Sequence, residues 1–120
     1  MPKRILAFRR LNESQLAQLR EQFHVDYFPK LGSVDDPGFR EALAEAHGLI
    51  GTSVKITPEL LDDAPHLEAI ASISVGYDNY PVDELTRRNI LLCNTPDVLT
   101  ETTADTGFSL IMATARRVVE

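Results

Sequence analysis

Residues 69–79 read Ala69-Ile70-Ala71-Ser72-Ile73-Ser74-Val75-Gly76-Tyr77-Asp78-Asn79. An apolar, partly β-branched run from Ala69 to Ser74 passes without a break into Ser-Val-Gly, as expected of a buried strand that ends in an exposed turn. Four further runs of this kind lie around it: Ile5 to Phe8, Val25 to Phe28, Leu49 to Gly51 and Ile90 to Cys93. Their starts are about twenty residues apart and helix-forming segments fill the gaps, which is the rhythm of βαβ units. The expected fold is therefore α/β, with a five-stranded parallel sheet flanked by helices.

The intervening segments carry helix start and stop signals. Asn12-x-x-Gln15 is a capping-box pattern, Leu11 can staple onto Leu16, and Leu16, Leu19 and Phe23 share a face. Asp36-Pro37 predicts a second helix with Phe39, Leu43 and Ala46 inward and Gly48 as its stop. Thr57-Pro58 predicts a short third helix. A fourth spans about Val82 to Arg88, where Asn89 can take the left-handed exit conformation. From Thr102 to Val119 a longer helix is expected, because Ala104, Phe108, Ile111, Ala115 and Val118 form one apolar stripe. The segment closes on Arg116-Arg117-Val118-Val119-Glu120 without glycine or proline, and reads as a helix that leads onward. Asn94-Thr95-Pro96-Asp97, where proline forbids ladder pairing, marks the boundary between the compact lobe and that helix.

Composition narrows the function classes. The 120 residues suffice for one core, and 43% hydrophobic with 25% charged residues is ordinary for a folded globular domain. Twelve basic against eighteen acidic residues give a net charge of −6. Because Lys3, Arg4, Arg9 and Arg10 cluster at the start, the rest of the chain is more acidic still and repels phosphate backbones, so no nucleic-acid partner is expected. One cysteine, Cys93, permits no internal disulfide and no thiolate metal site, which suits a reducing, cytoplasmic compartment. No apolar stretch is long enough for a signal peptide or membrane span, so no membrane partner is expected either.

The motif search is mostly negative. Neither G-x-G-x-x-G nor G-x-x-x-x-G-K-[ST] occurs, so no nucleotide site is complete in these residues. Phe8-Arg9-Arg10 is basic where a Mg²⁺-binding phosphoacceptor domain needs acidic residues. His24, His47 and His66 lack metal-ligand spacing and sit at helix-to-strand junctions as loop or cap residues. Cys93 reads as a small buried hydrophobe, and Asp62-Asp63 as a solvated pair. No metal ligand and no catalytic residue is assigned. What stands out is the turn after the buried strand that begins at Ala69: Gly76 lets the chain turn with its amides exposed, and successive N–H groups there form a nest for a carboxylate, at the edge where open parallel sheets place ligands. The same residues equally suit a plain βα turn in which Asp78 or Asn79 caps the next helix.

Taken together, Ser74-Val75-Gly76-Tyr77-Asp78-Asn79, Val82-Asp83, Arg88-Asn89-Ile90, Asn94-Thr95-Pro96 and Thr100-Glu101-Thr102-Thr103-Ala104-Asp105 resemble the N-terminal part of the D-isomer-specific 2-hydroxyacid dehydrogenases. Within that family the chain is most similar to bacterial glyoxylate/hydroxypyruvate and 2-ketogluconate reductases. Asn89 departs from the glycine usual in its turn. The resemblance implies a flavodoxin-like substrate lobe over residues 1–99 and, over 100–120, an interdomain helix that crosses into a Rossmann cofactor domain, in a protein that acts as a homodimer. It implies hydride transfer from NAD or NADP to small 2-oxo acids. It places the substrate carboxylate on Val75 and Gly76, with Ser74 close by, and the nicotinamide against Val75 and Thr100. The family's catalytic arginine, glutamate and histidine and its cofactor loop fall beyond residue 120, so the 120-residue chain is expected to be inactive alone. The other reading of the same residues is a free-standing module that binds a small carboxylate or a protein partner.

Overall fold

The computed structural model describes residues 1–119. Five strands and five helices alternate: β1 (Arg4–Phe8), α1 (Glu13–Arg20), β2 (His24–Phe28), α2 (Pro37–Glu45), β3 (Gly48–Gly51), α3 (Pro58–Asp62), β4 (Ala69–Ser72), α4 (Val82–Arg87), β5 (Leu91–Cys93) and α5 (Thr100–Ala115). The strands form one all-parallel sheet in the order β2-β1-β3-β4-β5, the flavodoxin-like arrangement.

Local chemistry sets the helix starts. The Asn12 side chain accepts from the Gln15 amide at 2.9 Å while the Gln15 side chain accepts from the Asn12 amide at 2.9 Å, completing the capping box. Asp36 caps Phe39 and Thr57 caps Leu60, each with proline in the first turn. Asn89 leaves α4 at φ 56°, the left-handed exit its side chain tolerates. Arg88 then ties α4 to α3 by reaching Glu84 at 2.7 Å and Asp62 at 2.6 Å. Hydrogen bonds from Arg87 and Arg88 hold the Glu84 carboxyl down at about 2.

The core lies between the sheet and α2, α3 and α4, with Leu6, Phe8, Phe39, Leu43, Ile70 and Leu85 almost wholly buried. Phe39 meets Phe8 and Phe28 edge-on, both with centroids 5.9 Å apart. Gly48 does not stop α2 as expected. That helix ends by turning extended at Ala46 (φ −75°, ψ 136°), and Gly48 is the first residue of β3. It is packing that demands glycine there: a Cβ at Gly48 would come within 2.7 Å of Ile5 Cδ1, and one at Gly51 would collide with the Phe8 ring.

Cys93 also departs from expectation, being exposed. It ends β5, an edge strand with a single neighbour, and no described element packs over its outer face, where Leu91 is exposed as well.

The last helix, α5, begins two residues earlier than expected and none of its residues is buried. It ends earlier too. Arg117 takes φ 54°, and the Val118 and Arg117 amides bond the Ala113 and Thr114 carbonyls at 3.0 and 3.2 Å, a Schellman ending built without glycine. Glu120, the last residue of the interdomain helix that the resemblance implies over 100–120, lies outside the described residues. The Phe108, Ile111 and Val118 stripe is exposed, and the molecule extends 60 Å along its longest axis.

Five threonines and Gly107 make α5 a weak helix former, and its N-cap Leu99 makes no capping hydrogen bond. A 16-residue helix of this composition is marginal in water without packing. In the 120-residue chain its amides should therefore exchange with solvent at least tenfold faster than those of β1, β3 and β4. Equal protection in a chain that light scattering shows to be strictly monomeric would contradict this.

Candidate carboxylate site at the end of the fourth strand

The β4 strand continues its pairing one residue past its end, as the Ile73 amide donates to Gly51 O at 2.8 Å. From there the chain is held by side chains and by neighbouring strand exits. The Thr95 amide donates to Ser74 O at 2.9 Å and Asn94 Nδ2 donates to Val75 O at 2.8 Å, so the exit of β5 grips the turn. Ser74 Oγ donates to Gly76 O at 2.8 Å and lies 2.5 Å from Ser72 Oγ, so the Ser72 hydroxyl supplies the proton in that second contact. On the far side, Asn79 Nδ2 donates to Val54 O at 2.6 Å and the Ile56 amide donates to Asn79 O at 2.9 Å, tying the turn to the exit of β3.

These bonds bear on the capping half of the plain-turn reading. Neither Asp78 nor Asn79 caps α4. Its N-cap is Pro81, with no side-chain hydrogen bond, and Asn79 is committed to Val54. The N–H groups at Val75 and Gly76, like those of Tyr77, Asp78 and Asn79 after them, donate to nothing among the described residues. Both residues are exposed at the carboxyl edge of the sheet.

The geometry corrects one detail. Gly76 does not have positive φ, so the turn is not the alternating-hand nest its sequence suggests. A Cβ added at Gly76 would meet nothing within 4 Å. Neither backbone conformation nor internal packing requires glycine there.

Thr100, the first residue of α5, is exposed, and its hydroxyl makes no hydrogen bond among the described residues. Arg9 and Arg10 leave β1 with φ of 55° and 50°, and the Arg9 guanidinium bridges Leu31 O at 2.7 Å and Ser53 O at 2.7 Å. This clamp joins the exits of β2 and β3, and Ser53 is itself left-handed at φ 60°.

All three histidines sit at the opposite edge. His24 opens β2, His47 precedes β3 and accepts the Arg4 amide on Nδ1 at 3.2 Å, and His66 stacks on His47 with centroids 5.9 Å apart. None of them can pass a proton to a group at the Val75 turn. Among the described residues no cluster of three metal-ligating side chains occurs, and no helix is long and apolar enough to cross a membrane. A groove of about 610 Å³ between α4 and β5 is lined by Val82, Leu85, Ile90, Leu91 and uncharged polar residues, with no cation to pair with a carboxylate.

Two free consecutive amides at the end of the fourth strand suit a carboxylate, and known proteins that share this lobe give it a family. The sequence model of the D-isomer specific 2-hydroxyacid dehydrogenase catalytic domain matches residues 5–118. The chain belongs to that family. It is 46% identical over all 120 residues to glyoxylate/hydroxypyruvate reductase B of Escherichia fergusonii, and 50% identical over 103 residues to the protein of that name in Yersinia enterocolitica. The chain spans 37% of the length of the first and, in the matched part, 32% of the second. Among solved 2-hydroxyacid dehydrogenase structures it resembles the NADPH-dependent glyoxylate/hydroxypyruvate reductase of Sinorhizobium meliloti, determined with NADP and malonate. That match has TM-score 0.70 and 32% identity, and covers 95% of this chain and 34% of the other. A Thermus thermophilus protein aligns at TM-score 0.79 and 37% identity, over 97% of this chain and 38% of that one.

Sequence reasoning reached Ser74, Val75 and Gly76 but missed the residues that hold them. Asn94 follows β5 directly, precedes a proline break and belongs to the Asn94-Thr95-Pro96 family motif, but none of these signals says that it reaches Val75.

Proposed function

We propose that residues 1–99 form the substrate lobe of an NAD(P)H-dependent reductase of small 2-oxo acids such as glyoxylate, hydroxypyruvate and 2-ketogluconate. In this reading residues 100–120 lead into a cofactor domain lying outside these 120 residues, and the complete protein is a homodimer. The observation that carries the reading is the pair of uncommitted Val75 and Gly76 amides beside a glycine that the lobe itself does not need.

In this scheme the two N–H groups donate to the carboxylate of the 2-oxo acid. Charge-assisted hydrogen bonds of this kind contribute roughly 1.5–3 kcal/mol each. Fixing the carboxylate also fixes the adjacent keto carbon, which converts an encounter into a defined approach. The exposed Val75 side chain and the Thr100 hydroxyl would lie against a bound nicotinamide, which would supply the hydride. Ser74, with its hydroxyl on Gly76 O, acts here by holding the turn's shape beside the substrate. The similarity to glyoxylate/hydroxypyruvate reductase B supports the substrate class, and the NADP and malonate bound to the Sinorhizobium relative support the cofactor and the carboxylate.

The test is Gly76→Val in the full-length enzyme. Because a Cβ there meets no protein atom, the variant should keep its thermal stability. Its branched side chain stands over the amides, however, and kcat/KM for the oxo acid should fall at least tenfold, about 1.4 kcal/mol of transition-state stabilisation. An unchanged kcat/KM in a folded variant would place the carboxylate elsewhere.

A further inference from the structure

We propose that Asn94 is the positioning residue that aims the Gly76 amide at the substrate carboxylate. The proposal rests on the reading of the Val75–Gly76 turn as the carboxylate seat and adds what orients it. In a planar trans peptide the C=O of one residue and the N–H of the next point in opposite directions, so a hydrogen bond that fixes a carbonyl also fixes the following amide. The Thr95 amide holds Ser74 O at 2.9 Å and thereby directs the Val75 N–H. Asn94 Nδ2 holds Val75 O at 2.8 Å and thereby directs the Gly76 N–H. Both seat amides are thus aimed by the exit of β5, nineteen residues further along, with one grip from the main chain and the other from a side chain.

The second grip matters more because the peptide it holds ends in a glycine. Gly76 has the widest backbone freedom of any residue type, and nothing lies within 4 Å of where its Cβ would be, so no side chain of its own packs to steady the Val75–Gly76 peptide. Ser74 Oγ holds the next peptide through Gly76 O and does not reach this one. The Asn94 amide is the one side-chain donor on that peptide plane among the described residues. A glycine leaves room for the substrate at the cost of a loose peptide, and Asn94 removes the looseness from outside the turn.

The experiment uses the full-length enzyme with Asn94→Leu, which keeps the side chain's size and removes the donor, and Asn94→Asp, which returns a donor only when protonated. With Asn94→Leu, the KM for the oxo acid and the inhibition constant for oxamate should rise together by roughly tenfold, while the KM for the reduced cofactor stays within about twofold. With Asn94→Asp, the oxo-acid KM relative to the unsubstituted enzyme should fall as pH is lowered through the carboxyl range, because the protonated acid again donates to Val75 O. A merely structural role would not produce that recovery, and the Asp variant also serves if the Leu variant fails to fold. Gly76→Val is measured beside them. If Gly76→Val weakens oxo-acid binding and Asn94→Leu does not, the seat stands and the positioning role of Asn94 is wrong. If Gly76→Val is without effect, the seat itself is wrong and the proposal falls with it. An equal rise in the cofactor KM accompanied by lost stability would also overturn the proposal, reducing Asn94 to a fold contact.

Discussion

The 120-residue chain, purified alone and given glyoxylate or hydroxypyruvate with NADH or NADPH, is expected to show no turnover above the uncatalysed rate. Reduction of a 2-oxo acid needs a hydride donor held at the keto carbon and a proton for the resulting oxyanion. In the proposed reading the residues present offer amides for the carboxylate, but they contain no glycine-rich loop to hold a dinucleotide's phosphates. Their histidines lie at the amino ends of the strands, across the sheet from the turn. Orienting the substrate cannot substitute for either reactant, so the whole of an enzyme's acceleration, typically at least about 10⁶-fold, should be missing. The assay is the absorbance of the reduced nicotinamide, followed through successive purification steps. Turnover that tracks with the chain through those steps would overturn this view and favour a lobe that is catalytic by itself.

The second large effect is on stability. Phe39→Ala should cost the lobe about 3–5 kcal/mol, measured by urea denaturation as a lower midpoint at unchanged slope. Phe39 is fully buried and sits edge-on to both Phe8 and Phe28, so its ring joins α2 to β1 and to the outer strand β2 at once. Neighbouring Leu43 on the same helix face cannot close the gap, because it is already buried in contact with the core. A loss under about 1 kcal/mol would mean that α2 is held to the sheet by something other than this aromatic cluster. Substituting exposed Glu41 on the same helix should change stability by no more than about 0.5 kcal/mol, which separates core packing from helix propensity.

What the sequence determined by itself is the local grammar. Asn12 with Gln15, Asp36 with Pro37 and Thr57 with Pro58 start helices because each cap bonds the amide three residues on, within reach of any chain that turns there. The five apolar runs became the five strands within a few residues, and their spacing by crossover helices made the sheet parallel. The family pattern from Ser74 to Asp105 pointed to the Val75–Gly76 turn for the same reason, since it is a contiguous strand-to-turn signal.

Everything that depended on which strand lies beside which had to wait for the tertiary structure. Gly48 looked like a helix stop and is instead a strand residue pressed against Ile5, because β1 and β3 are neighbours. Cys93 looked buried and is exposed, because its strand falls at the edge of the sheet. The apolar stripe of α5 is an amphipathic pattern with no partner among the described residues, and periodicity carries no information about what covers it. At the site, residue types revealed an open glycine turn but not its freedom from positive φ, nor the grips of Asn79 on Val54 and Asn94 on Val75, which span 25 and 19 residues. Those bonds exist because parallel pairing brings the exits of β3, β4 and β5 to one edge, and side chains far apart in the chain become neighbours only once the sheet has assembled.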